Sequence, residues 1–163
     1  MGKVNKEEIY AFLEKSSIEF EAVEHKAVFN MDELGTIKLP HPEWEAKNLF
    51  VRDDKKRNYY LITVKGAKRV DLKDFRRKHG LRALSFASAD DLLEIMKLTP
   101  GSVTPLGLLN DSERRVKFYL DAEFEGGMMG VHPNDNTATV YMKAADVLRL
   151  IIEHGSEAEM AEI

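Results

Sequence analysis

Three short stretches of this chain carry side chains suited to binding and acid–base chemistry, and they lie far apart in sequence. The first, Lys47-Asn48-Leu49-Phe50-Val51-Arg52-Asp53, sets an ammonium beside an amide that both donates and accepts hydrogen bonds. The second, Gly101-Ser102-Val103-Thr104-Pro105-Leu106-Gly107-Leu108, is rich in turn formers. Glycine there permits close backbone approach and proline stiffens the exit, an arrangement suited to presenting backbone N–H groups. The third, Gly130-Val131-His132-Pro133-Asn134, holds an imidazole that near neutrality can position water or transfer a proton. Taken singly, each has an ordinary structural reading: a solvated strand-edge lysine, a turn or cap asparagine, a plain turn, a structural histidine.

Composition narrows the chemistry. The 163 residues are 44% hydrophobic and 32% charged, which excludes a disordered chain and a disulfide mini-protein and suits one packed domain over 1–163. Cysteine is absent, so disulfides, thiolate nucleophiles and sulfur-bound zinc are excluded. The five histidines, His25, His41, His79, His132 and His154, match no helical two-histidine metal motif. No Walker loop or dinucleotide-binding glycine pattern occurs, and no cofactor is expected. The apolar runs are far shorter than a membrane span needs and the opening residues are charged, so a cytoplasmic protein is expected.

The net charge of −4 conceals an asymmetry. Between Lys65 and Arg82 eight basic residues face two acidic ones, which makes that segment +6 and the remainder −10. A basic face on an acidic body is one design for touching a phosphate backbone at a single place, with Lys73, Arg76, Arg77 and Lys78 as the candidate contacts. A solvated helix face is the alternative.

The elements that must position these groups follow from periodicity and caps. Asn5 with Glu8 opens a helix to about Lys15, and Ile18, Phe20 and Ala22 alternate as a strand. Asn30 with Glu33 predicts a short helix ended by Gly35, and Pro40-His41-Pro42 an extended loop. Lys47 to Val64 reads as a hairpin around Asp53-Asp54-Lys55-Lys56. Asp71 to Gly80 forms a helix carrying most of the basic cluster, Leu81 to Phe86 a brief strand, and Ser88 with Asp91 a capping box. Strands are expected at Val116 to Phe124 and Thr137 to Met142, then a helix from Ala144 to His154 capped by Gly155. The acidic tail 155–163 is expected to fray. Irregular interspersion of helices and strands without a repeat predicts an α+β fold with a mixed sheet.

In order and spacing, the three stretches resemble the prolyl-tRNA editing family of the YbaK/ProX type, free-standing relatives of the insertion domain in bacterial prolyl-tRNA synthetases. The resemblance covers nearly the whole chain to Ile152, and the string Lys47 to Asp53 is most similar to the branch that clears alanine from proline tRNA. One departure is Asn30, where many relatives have threonine.

The resemblance implies a mixed, partly barrel-like sheet flanked by helices, with a small pocket facing the tRNA acceptor end. It implies hydrolysis of the aminoacyl ester of Ala-tRNA(Pro), with no metal and no covalent enzyme intermediate required. Lys47 fits the family's essential lysine, holding the terminal nucleotide's backbone or the substrate carbonyl. Asn48 would orient the ester or a water and His132 would act on that water, while Gly101, Ser102, Val103, Thr104, Pro105 and Asn134 bind substrate. Hydrolysis of cysteinyl or another small aminoacyl ester is the close alternative, and a noncatalytic tRNA-binding module the distant one. The partners implied are tRNA and, transiently, prolyl-tRNA synthetase.

Overall fold

The computed structural model describes residues 5–26 and 40–163; the helix expected at Asn30 to Gly35 lies outside them. Helix α1, Lys6–Lys15, starts where the Asn5 side chain accepts the Glu8 N–H at 2.9 Å, and it buries Ile9 and Leu13. Strand β1 is Phe20–Glu24. A 3-10 turn at Pro42–Trp44 leads into β2, Ala46–Asp53, which turns back as β3, Tyr59–Lys65. The turn is held by the buried Asp53 carboxylate, which accepts from the N–H groups of Lys55 and Arg57 and from the Asn58 amide.

Helix α2, Leu72–His79, is capped by the Asp71 carboxylate and ends on Gly80 at φ 65°, the left-handed conformation glycine adopts freely. It buries one side chain, Phe75, so its basic residues remain outside. After β4, Leu84–Phe86, the Ser88–Asp91 capping box opens α3, Ala89–Met96. The turn-rich segment becomes two 3-10 turns, Pro100–Ser102 and Pro105–Asn110. Then follow β5 Val116–Asp121, β6 Met128–Val131, β7 Ala138–Lys143, α4 Ala144–His154 and β8 Ala158–Ala161.

The strands form two sheets. One is antiparallel in the order β1-β7-β6, and the other is mixed in the order β4-β2-β3-β5-β8, with β3, β5 and β8 parallel. A single bridge between Glu45 and Gly130 joins them among the described residues. The α+β class with flanking helices is thus present, and the expected sheet is divided in two. Central strand β3 is buried on both faces, which accounts for its unbroken Tyr-Tyr-Leu-Ile-Thr-Val run. Leu61 faces a large core with Ile9, Phe118, Val140 and Ile151, whereas Tyr60, Ile62 and Val64 face a smaller one with Phe75 and Tyr119.

Two expectations are corrected. The strand expected through Phe124 stops at Asp121, whose carboxylate accepts the Glu123 N–H at 3.2 Å and turns the chain into a 3-10 segment. The tail does not fray: Phe118 to Asp121 pair in register with Ala158 to Ala161, and Ala161 and Ile163 pack on the smaller core. A strand this short carries no clear periodic signal, and its partner supplies the hydrogen bonds. A chain ending at Ser156 should leave β5 as an open edge. Its melting temperature should fall by about 4–8 °C, equivalent to a loss of roughly 2 kcal/mol; an unchanged melting temperature would mean that β8 contributes nothing.

Candidate functional site

Strand β2 presents two of the singled-out side chains in opposite directions. Successive strand residues alternate between faces, so Asn48 shares the large-core face with Phe50, and Lys47 shares the other with Leu49 and Val51. On its face Lys47 donates from Nζ to the carbonyl of Lys68. Lys68 is fastened in turn, its Nζ lying 2.7 Å from Oδ2 of the buried Asp121 and 2.9 Å from Glu123. Burial alone would lower the Lys68 pKa, but these two carboxylates hold it above its ordinary value. An internal ion cluster therefore fixes the carbonyl on which the Lys47 ammonium rests.

Asn48 points the other way and closes a chain of hydrogen bonds through the other two stretches. Its Oδ1 accepts from the buried Thr63 hydroxyl at 2.6 Å, and its Nδ2 donates to the Val103 carbonyl at 3.3 Å. Next to Val103, the fully buried Thr104 donates from Oγ1 to the His132 carbonyl at 2.6 Å while accepting the Leu106 N–H at 3.3 Å. Asn48, the Gly101 to Pro105 segment and the His132 turn are thus one hydrogen-bonded unit. Ser102, Thr104 and Pro105 are buried within it, and Asn134, also buried, holds the turn in a left-handed conformation at φ 62°. Lys47 adjoins this unit at the same end of β2 without being bonded to it.

His132 has a defined tautomer. Nδ1 lies 3.0 Å from the Ala138 carbonyl, which can only accept, so Nδ1 carries the hydrogen and Nε2 keeps its lone pair. Desolvation pushes the imidazole pKa down, and the neighbouring His25 adds to this, against the Ala138 carbonyl and Asp135. The ring is therefore neutral at pH 7 and available to accept a proton or a hydrogen bond.

Residues that the sequence reading left unassigned complete the surroundings. The His25 ring lies 6.4 Å from that of His132, with its Nε2 2.8 Å from the Thr139 hydroxyl. Glu45, raised in pKa chiefly by burial, accepts the Tyr141 hydroxyl at 2.9 Å. His41 stacks on Trp44 at 3.9 Å and bonds Glu21 at 2.7 Å. None of these lies in a recognisable motif; His25 and Tyr141 reach the site only through strand pairing. Among the described residues no group of three or more His, Asp or Glu is placed to hold a metal, and no helix is long and apolar enough to cross a membrane.

Part of the basic segment is paired with carboxylates of the same chain. Lys68 is tied to Asp121, and Arg82 to Asp54 at 2.6 Å. Lys73, Arg77 and Lys78 stand exposed on α2, with Arg76 half-buried beside them.

A family model for the aminoacyl-tRNA editing domain matches residues 25–150, a span that contains all three stretches. The chain belongs to that family. It is 35% identical over 159 residues to the prolyl-tRNA editing protein ProX of Acetoanaerobium sticklandii, covering 97% of each chain. It is 37% identical over 150 residues to the mouse (Mus musculus) prolyl-tRNA synthetase associated domain-containing protein 1, covering 86% of each. A solved structure of a candidate trans-editing enzyme for prolyl tRNA synthetase shares the fold, with TM-score 0.71 at 21% identity over 96% of this chain and 94% of that one. Membership in an editing family implies an aminoacyl-tRNA substrate and a deacylase activity.

The geometry at His132 yields a direct check. In an NMR pH titration the His132 ring should titrate below 6.5, the ordinary imidazole value, with Nδ1 protonated in the neutral form. A midpoint at or above 6.5 would contradict the desolvated, neutral assignment.

Proposed function

We propose that this protein is a trans-editing hydrolase that deacylates mischarged Ala-tRNA(Pro). The observation carrying the proposal is the hydrogen-bonded unit of Asn48, Val103, Thr104 and His132, which gathers sequence-distant groups beside Lys47 in a chain of the editing family. The relatives' names, a prolyl-tRNA editing protein and a prolyl-tRNA synthetase associated domain protein, support proline tRNA as the carrier.

In this reading the acceptor end enters at the start of β2. Lys47 leaves the Lys68 carbonyl to bind the terminal nucleotide's backbone or the ester carbonyl, and Asn48 orients the ester. Gly101, Ser102, Val103, Thr104 and Pro105 line the aminoacyl group, with Asn134 fixing the opposing turn. The Nε2 lone pair of His132 accepts a hydrogen bond from the attacking water. Water oxygen bonds to the carbonyl carbon, the ester C–O bond breaks, and the ribose oxygen leaves with a proton. The contribution of the protein is orientation and charge placement, the kind of catalysis that needs positioned groups and no covalent intermediate.

Editing of this kind answers a physical problem. A synthetase site built for proline cannot exclude the smaller alanine, since each missing methylene is worth only about 1–3 kcal/mol. A second, smaller pocket admits alanine and refuses the prolyl ring. Lys73, Arg76, Arg77 and Lys78 would hold the tRNA body, the protein would act in the cytoplasm, and its meeting with prolyl-tRNA synthetase would be transient.

Two measurements test the proposal. Purified protein should hydrolyse Ala-tRNA(Pro) and spare Pro-tRNA(Pro), and Lys47→Ala should lower the rate by more than tenfold, about 1.4 kcal/mol of barrier, with an unchanged circular dichroism spectrum. Cleavage of cysteinyl ester alone would move the specificity to cysteine, and comparable cleavage of prolyl ester would remove the size filter. Charge reversal at Arg76 and Arg77 should raise KM and flatten its salt dependence at nearly constant kcat; an unchanged salt slope would make α2 a solvated face.

A further inference from the structure

A cavity of about 180 Å³ opens directly beside Asn48 and Val103, on the flank of the unit described above. Its walls include Phe50, Leu92, Pro100 and Val103, with Phe86 at the rim. Two properties define what can occupy it. No lysine, arginine, aspartate or glutamate lines it, so it offers no charged side chain to a phosphate or an ammonium. Its volume suits a ring system and is too small for a complete nucleotide.

The backbone supplies the polar part of the recognition. The Phe50 carbonyl accepts from the Ala87 N–H, so the peptide groups of Phe50 point away from β3, toward β4. By the two-residue period of an antiparallel strand, the N–H and C=O of Asn48 point the same way. Among the described residues β4 pairs with β2 only from Val51 to Asp53, and no strand covers that side at Asn48. A donor and an acceptor are therefore offered side by side along the cavity, as a planar heterocycle with its own donor and acceptor edge requires. Phe86 adds an unexplained feature. It is a large aromatic residue left 63% exposed in an edge strand of three residues, at the rim of this cavity. An exposed aromatic ring is a surface on which proteins stack single-stranded bases.

We infer that this cavity binds the terminal nucleobase of the tRNA acceptor end, an uncharged purine whose edge pairs with the Asn48 backbone and whose face meets Phe86. The inference rests on the aminoacyl-tRNA reading of the adjoining site. The cavity shares Asn48 and Val103 with the proposed ester-binding groups, and the base is the part of the substrate attached to the same ribose as the ester. Seating the base anchors that ribose, so that the ester is presented to Asn48 and the Gly101 to Pro105 segment in one orientation.

The test compares two hairpin RNAs that carry no amino acid and copy an acceptor stem with its single-stranded 3′ end. One ends in adenosine, and the other ends in the same ribose without a base. The full-length protein should bind the abasic hairpin about five- to tenfold more weakly, the low end for loss of one base stack. Phe86→Ala, a change at an exposed position, should bind the intact hairpin nearly as weakly as the unaltered protein binds the abasic one, and should barely distinguish the two. Equal affinities of the unaltered protein for both RNAs, a discrimination undiminished by Phe86→Ala, or no binding of either RNA would each overturn the inference. Hydrolysis of Ala-tRNA(Pro), assayed in parallel, separates the two readings. Retained hydrolysis with no base discrimination removes only the base pocket, and absent hydrolysis removes the proposed function whatever the hairpins show.

Discussion

The junction between the two sheets is the constraint on which the site depends. Glu45 and Gly130 meet there in a parallel bridge, at a position where a side chain on residue 130 would lie 2.9 Å from the Tyr141 ring and 3.2 Å from the Thr139 methyl. Only glycine at 130 leaves that space to the Tyr141 ring and the Thr139 methyl of β7. Tyr141, pressed over that glycine, reaches Glu45, and Thr139 beside it holds His25. Two residues beyond Gly130 the chain carries His132, whose carbonyl receives Thr104 and whose ring is turned by Ala138. The motif glycine thus leaves room for the Tyr141 ring in the strand that leads to His132, and the hydrogen bonds of Thr104 and Asn48 tie that turn to the large sheet.

This arrangement separates two kinds of electrostatic work. On one face of β2, the Lys68 ammonium and the Asp121 and Glu123 carboxylates satisfy one another and leave a carbonyl to hold the Lys47 ammonium. On the other face, neutral groups are oriented by neutral partners: an amide, two hydroxyls and an imidazole kept unprotonated by burial. The proposed ester chemistry uses both, with a mobile cation for the nucleotide or carbonyl and a rigid, uncharged frame for the acyl group and water. A rigid frame also suits selection by size, because a pocket that repacks easily cannot refuse a ring.

Much of this was legible in the sequence because local signals agree with the fold. Asn5, Asp71 and the Ser88–Asp91 box mark helix starts that occur where expected, and Gly80 and Gly155 mark helix ends in left-handed conformations. The Asp53 turn and the β-branched and aromatic run at Tyr59 to Val64 announce the central hairpin. Non-local pairing was not legible. The parallel contact of β8 with β5 has no sequence signal in Ala-Glu-Met-Ala, and the division of the described strands into two sheets follows from long-range pairing that no local pattern marks. Motif order pointed to Lys47, Asn48, the Gly101 to Pro105 segment and His132 as one candidate site, but adjacency in sequence hid the fact that Lys47 and Asn48 face opposite ways. His25, Glu45 and Tyr141 join the surroundings through pairing and burial, which a single sequence does not display.

The most direct measurement is a crystal structure with a short acceptor-stem RNA carrying alanine through a nonhydrolysable 3′-amide, an isosteric stand-in for the ester. The acyl carbonyl should lie within hydrogen-bonding distance of Asn48 or of backbone N–H groups between Gly101 and Pro105, with the Lys47 ammonium moved from the Lys68 carbonyl to the ligand and His132 Nε2 facing the acyl carbon. An alanyl group bound elsewhere, with Lys47 still on the Lys68 carbonyl and no ligand atom near Asn48 or His132, would contradict the assignment of this junction as the deacylation site.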